Sequence, residues 1–175
     1  MPSTTKEEIT ITPYIAQSRI ELGRHASADI VTEIKRRLAK QPSVRIIFAA
    51  APSQSEMLDA LILEPGIDWK RVTAFHMDEY INLAPEAPQR FAAFLRRAIF
   101  DILPFGAVHL IEPQADPEAT AKSYAALLAE APIDIVCCGI GANGHLAKPI
   151  SAERLFAALE QLDEAEPDVG LEDAA

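Results

Sequence analysis

Short apolar runs alternating with segments of helical periodicity constrain this chain more than any other feature of its sequence. From Ser18 to Lys40, Ile20, Ala26, Ile30, Val31, Ile34 and Leu38 recur at helical spacing. Lys35, Arg36, Arg37 and Lys40 gather at the end where a helix dipole favours cations, and Gln41-Pro42-Ser43 stops the helix. Val44–Ala51 is nearly all apolar, as expected of a strand buried on both faces, and Glu56–Leu63 reads as a helix. Pro65-Gly66 turns the chain before Arg71–His76, a second core strand. Gln89–Leu103 follows as a helix presenting Phe91, Phe94, Leu95, Ala98, Ile99 and Ile102, closed by Pro104, and Ala107–Ile111 as a third strand. Asp116-Pro117-Glu118 combines a cap residue, a proline at the first helical position and an early acid, which starts a helix running to about Glu130. Ile133–Ile140 is a fourth strand and Ser151–Leu162 a last helix, with a further short strand expected at Ile9–Ile11. The alternation predicts an α/β fold: a doubly wound, mostly parallel, Rossmann-like sheet with helices on both faces.

At 175 residues, 49% of them hydrophobic, the chain can bury about 70% of the surface it exposes when unfolded. One domain over residues 1–162 is the expectation, and the acidic stretch 163–175 reads as a disordered tail. The net charge of -10 opposes nucleic-acid binding, which needs cations to neutralise phosphates. Much of that excess sits in Glu160–Asp173, so it says little about an active surface. No apolar run approaches the roughly 20 residues of a membrane span, and no secretory signal is visible, so a cytoplasmic protein is expected. Cys137 and Cys138 are neighbours whose side chains point to opposite faces of a strand; they suit buried reduced thiols better than a disulfide or a zinc clamp.

In parallel α/β sheets ligands lie beyond the carboxyl ends of the strands. Three polar or glycine-rich segments fall there: residues 51–55, 77–80 and 139–145. Asp78, just past a buried strand, is placed as a general base, and the like-charged Glu79 beside it can raise its pKa. Equally, the two acids could cap the next loop. In Gly139-Ile140-Gly141-Ala142-Asn143-Gly144-His145 the glycines permit close backbone approach to a ligand, His145 can move protons near neutral pH, and Asn143 can orient it. A plain strand-to-helix turn explains the same residues. Ser53, Gln54 and Ser55, leading into a helix N-terminus, suit an anion such as phosphate or simply cap the helix. The loop lacks the glycines and lysine of a P-loop, and no cluster has metal-ligand spacing.

Phe75-His76-Met77-Asp78-Glu79-Tyr80-Ile81-Asn82-Leu83, followed by Gly139-Ile140-Gly141-Ala142-Asn143-Gly144-His145-Leu146-Ala147, resembles the glucosamine-6-phosphate deaminase/isomerase family, whose fold is shared by 6-phosphogluconolactonases. The resemblance runs over about residues 9–149, and the Met-Asp-Glu-Tyr and Asn-Gly-His-Leu-Ala forms point to the deaminase branch. It implies that Asp78 moves the C2 proton, that His145 with Asn143 opens the sugar ring, and that Ser53 and its loop hold a sugar phosphate, with Gln54, Ser55, Glu79, Gly141 and Gly144 around the substrate. It implies no cofactor and leaves self-association into a homo-oligomer open. Family members usually continue after Leu-Ala with Phe-Asn, an acid and Pro; here Lys148-Pro149-Ile150 stands instead, and a member truncated or divergent at the C-terminus is the expectation. The alternatives are a non-catalytic sugar-phosphate-binding or regulatory domain and a 6-phosphogluconolactonase.

Overall fold

The computed structural model of the chain describes residues 14–81, 83–112 and 116–139. Its elements run α1 (Arg19–Leu38), β1 (Val44–Phe48), a 3-10 turn (Pro52–Gln54) into α2 (Ser55–Leu61), β2 (Val72–His76), α3 (Phe91–Leu95), β3 (Ala107–His109), α4 (Pro117–Ala129) and β4 (Ile135–Cys137). The strands form one parallel sheet in the order β3-β2-β1-β4. Moving along the chain, the sheet grows from β1 through β2 to β3, then returns to the other side of β1 to add β4. The alternating α/β reading is therefore met. The strand expected at Ile9–Ile11, the helix at Ser151–Leu162 and the acidic tail lie outside the described residues.

Both faces of the sheet are covered, by different helices. On one face Val31 and Ile34 of α1, Met57, Leu58 and Leu61 of α2, and Leu95 of α3 pack on Val44, Ile46, Phe48, Val72 and Ala74. On the other, Tyr124 and Leu128 of α4 pack on Ile47 and Phe75. The division follows from strand alternation, which sends successive side chains to opposite faces. Burial on both sides explains why every residue of β1 is buried. The charged member of that strand, Arg45, lies on the α4 face, where its guanidinium donates to the carbonyls of Leu127, Leu128 and Ala131 and sits 4.7 Å over the Phe75 ring. It thus closes the open C-terminal turn of α4. Arg71 does the same for α1 through the carbonyls of Leu38, Gln41 and Pro42.

The cap expected at α4 is present, while the start of α2, where Ser53 or Ser55 could have capped, has no side-chain cap. Ser18 Oγ accepts from Glu21 N–H at α1, and Asp116 Oδ1 accepts from Glu118 and Ala119 N–H at α4. The segment 89–103 departs from one regular helix: α3 passes at Arg96 into a π turn that runs to Phe100, with Asp101 N–H donating to Arg96 O. The wider turn brings Ile99 and Phe100 into the core together and leaves Ile102, expected on the buried side, exposed.

Gly23 sets the approach of α1 to α2. A Cβ there would stand 2.5 Å from the Glu56 carbonyl carbon, a backbone atom that no rotamer change can move aside. Alanine is intrinsically the better helix former by about 1 kcal/mol, but forced overlap in a packed interface costs about 1–3 kcal/mol. Because the obstruction is backbone, the clash should win. Gly23→Ala is expected to lower the urea midpoint of unfolding, and an unchanged or raised midpoint would contradict this packing.

Candidate active site

The register of the parallel ladders brings the strand ends into line. Phe48, the last residue of β1, pairs with His76 at the end of β2 and with Cys137 at the end of β4. Beyond the ladder, Met77 N–H donates to Phe48 O and Ala49 N–H to Cys137 O. Residues 51–55, 77–80 and 138–139 therefore leave the same edge of three adjacent strands. Between β1 and β4 the strand order reverses, the place at which such sheets take their ligands. A cleft of about 530 Å³ begins at these ends and runs along β4 beneath α1: Ser53, Gln54, Cys138 and Gly139 line its strand-end part, and Leu22, Ala26 and Ile30 of α1 with Val136 of β4 line the rest.

Gly139 forms a close part of this cleft. A Cβ on it would lie 3.3 Å from Gln54 Nε2 and 3.4 Å from Ser53 Oγ, so the bare glycine lets both side chains approach the end of β4. The loop differs from an open helix N-terminus. Gln54 N–H donates to Ala51 O and Ser55 N–H to Pro52 O, closing the 3-10 turn on itself. Backbone donors expected for an anion are thus taken at those two positions, and the side chains of Ser53 and Gln54 are what line the cleft. At its rim Arg19 pairs with Glu56 at 2.6 Å and donates to Pro52 O, fixing the loop against α1.

Asp78 and Glu79 occupy opposite environments. Asp78 is exposed at the sheet edge, and its carboxyl is pushed above the usual aspartate value, first by desolvation from the surrounding atoms and then by the Glu79 charge. The side chain of Glu79 is only 1% exposed. Its carboxylate accepts from the N–H groups of Tyr80, Phe91 and Ala92, each at 3.0 Å, so it sits on the first turn of α3. Arg90 Nε stands 3.2 Å from the same carboxylate. Glu79, assigned to the substrate by the sequence, instead faces inward, because the N–H groups of α3 and Arg90 compensate its charge there. Arg90 carries no sequence signal for this role. Arg90, 4% exposed, also donates to Pro85 O, Ile111 O and Glu112. His76 Nδ1 accepts from Ile111 N–H, and its Nε2 lies 3.9 Å from Glu79.

His145, Asn143, Gly141 and Gly144 lie outside the described residues. Among the described residues no group of three or more His, Cys, Asp or Glu side chains could hold a metal ion, and no helix is long and apolar enough to cross a membrane. Cys137 is buried and Cys138 half-buried, without a disulfide, and burial raises both thiols.

Residues 17–167 match the family model of glucosamine-6-phosphate isomerases/6-phosphogluconolactonase. Curated relatives include the glucosamine-6-phosphate deaminase of Lactobacillus delbrueckii subsp. bulgaricus, 31% identical over 76% of this chain and 55% of that protein. The deaminase of Streptococcus pyogenes serotype M1 is 34% identical over 74% of this chain and 53% of its own length. This chain thus spans about half the length of those relatives. Among solved structures, a monomeric glucosamine-6-phosphate deaminase superposes with a TM-score of 0.63 at 22% identity, covering 74% of this chain and 55% of that one. A 6-phosphogluconolactonase from Thermotoga maritima does so with a TM-score of 0.63 at 19% identity, over 72% and 59%. Both structures share the fold described here.

His76 makes the site sensitive to acid. Its burial depresses its pKa from 6.5 to about 4, against the opposing pull of Glu79. An unfolded chain takes up the proton below 6.5 and the folded one only near 4, so the stability from neutral His76 is present above 6.5 and lost as pH falls through that window. Between pH 7 and pH 4.5 this one group should remove about 2–3 kcal/mol of folding free energy. Urea titrations at the two pH values should show the loss, and His76→Gln should reduce it; an equal loss in the variant would assign it to other groups.

Proposed function

Because this chain belongs to the family of glucosamine-6-phosphate isomerases and 6-phosphogluconolactonases, we propose that it acts on glucosamine 6-phosphate, converting it with water to fructose 6-phosphate and ammonia. The observation that carries this reading is the position of Asp78. It stands exposed at the end of β2, with a raised pKa, on the same sheet edge as the Ser53–Gly139 cleft at the β1/β4 reversal.

In the ring-opened sugar the C2 hydrogen lies next to both the C1 aldehyde and the amino group. The Asp78 carboxylate removes that proton, and the electron pair of the C–H bond moves into the C1–C2 bond while the aldehyde oxygen gains a proton. Return of a proton to C1 converts the resulting enolamine into an imine at C2. Water adds there, the C2–N bond breaks, and ammonia leaves the ketose. The substrate's own carbonyl is the electron sink, so this chemistry requires no cofactor. His145, oriented by Asn143, is assigned to ring opening, where a proton must pass between the ring oxygen and the C1 hydroxyl. Ser53, Gln54 and Ser55 are assigned to the phosphate, and Gly141 and Gly144 to close backbone approach. The deaminase names of the two curated relatives support the amino sugar over a lactone.

A second reading, sugar-phosphate binding without turnover, draws on Lys148-Pro149-Ile150 standing where the family carries an acid. A coupled assay for ammonia and fructose 6-phosphate separates the two. Turnover is expected, with Asp78→Asn lowering kcat by about 10²-fold or more while the melting temperature holds. Since the base must be ionised, activity should rise with pH along an acid limb displaced above the ordinary aspartate value, and that limb should vanish in Asp78→Asn. A rise in melting temperature with glucosamine 6-phosphate but no ammonia favours the binding domain. Hydrolysis of 6-phosphogluconolactone without deamination favours the lactonase.

A further inference from the structure

The pair Asp78-Glu79 divides its labour, and the buried member has no part in the chemistry assigned above. We propose that Glu79 is a positioning residue for Asp78: its buried carboxylate ties the strand-end loop to the first turn of α3 and thereby fixes where the Asp78 carboxylate is presented. The inference rests on the reading of Asp78 as the base.

The backbone is held on both sides of Asp78. On one side Met77 N–H donates to Phe48 O at 3.1 Å, which extends the β1/β2 ladder. On the other, Glu79 bonds at 3.0 Å to Tyr80, Phe91 and Ala92 N–H, of which the last two belong to α3. With residues 77 and 79 anchored to different elements, the peptide carrying Asp78 has little freedom, and its short side chain keeps two rotatable bonds. The anchor is itself braced. Arg90 faces Glu79 from the residue before α3 and reaches Ile111 O and Glu112 after β3, while His76 faces it from the end of β2 and accepts from Ile111 N–H. Four segments therefore meet beneath one exposed carboxylate. Glu79 also acts on its neighbour by charge, and it is the described charged group that raises Asp78. A residue that only stabilised α3 would not alter the titration of Asp78.

The test uses the full chain and two substitutions that separate charge from reach. Glu79→Gln keeps the length and removes the charge; Glu79→Asp keeps the charge and falls short of the α3 N–H groups. Carboxyl carbon NMR of Asp78 against pH gives the first readout, and kcat and KM for ammonia release the second. In Glu79→Gln the Asp78 midpoint should fall by about half a pH unit or more, and kcat should drop about 10- to 100-fold with KM nearly unchanged, because the amide has one acceptor oxygen and one of the two α3 N–H groups loses its partner. In Glu79→Asp the midpoint should stay close to that of the wild type while kcat drops comparably. An unmoved midpoint in folded Glu79→Gln, or wild-type kcat in folded Glu79→Asp, overturns the proposal. The midpoint decides even in a chain without turnover. Full activity of Asp78→Asn would end the base reading instead, which is a different result. In the wild type, the Phe91 and Ala92 amides should exchange slowly with solvent; exchange as fast as that of open loops overturns the anchor whatever the variants do.

Discussion

Phe48 is bonded into ladders on both sides, and the arrangement of the site depends on that double pairing. Its neighbours in register are the last residues of β2 and β4, so three parallel strands end level with one another. Parallel pairing then dictates the rest. Every connection must cross back over a face of the sheet, so the helices that carry the chain back cover the apolar strands. The chain lays α2 and α3 on one face and α4 on the other, and the change of face coincides with the return of the strand order to the far side of β1. The cleft that Ser53 and Gly139 help to line lies beside the paired ends of β1 and β4 and continues beneath α1.

A chain of net charge -10 needs a physical account if it is to hold an anionic sugar. Three of its described arginines are engaged inside the fold. Arg45 and Arg71 receive the carbonyls at the ends of α4 and α1, and Arg90 is surrounded by Glu79, Glu112 and two carbonyls. Arg19, at the cleft, is paired with Glu56. These cations stabilise helix ends and buried acids, where the orphan carbonyls and the low dielectric make them effective. The polar lining that Ser53 and Gln54 bring to the cleft is neutral. Recognition of a phosphate there would draw on hydrogen bonding at a rigid strand end rather than on a positive surface.

The fold was legible because it rests on periodicity. The runs Val44–Ala51, Arg71–His76 and Ile133–Ile140 each contain an observed strand, and Asp116 caps the helix it announces. The convergence of loops 51–55 and 77–80 with Gly139 could be anticipated because parallel topology alone decides which ends of the strands share an edge. What could not be read were choices made by tertiary contacts. Nothing local distinguishes Arg45, in an otherwise apolar strand, as the cap of a helix eighty residues further on. The π turn after Leu95 is set by how Ile99 and Phe100 fit the core together. The inward turn of Glu79 depends on the arrival of Phe91 and Ala92 N–H from a later helix.

Two adjacent carboxylates at a strand end could in principle exchange environments, and the structure gives the physical reason they do not. Leaving a strand, neighbouring side chains point to opposite sides, so the acids cannot share one environment. The longer one reaches inward, where three N–H groups and a guanidinium compensate the cost of burying its charge. Having that compensation, it persists as a fixed negative charge one residue from the exposed aspartate. A fixed charge beside a partly desolvated carboxyl makes that carboxyl a stronger base, which is the direction found for Asp78. Reversing the order to Glu-Asp would leave the shorter acid short of the α3 amides and put the more flexible one at the rim. The order Asp78-Glu79 therefore follows from reach and burial: the short acid stands exposed at the strand end, and the long one is buried against the first turn of α3.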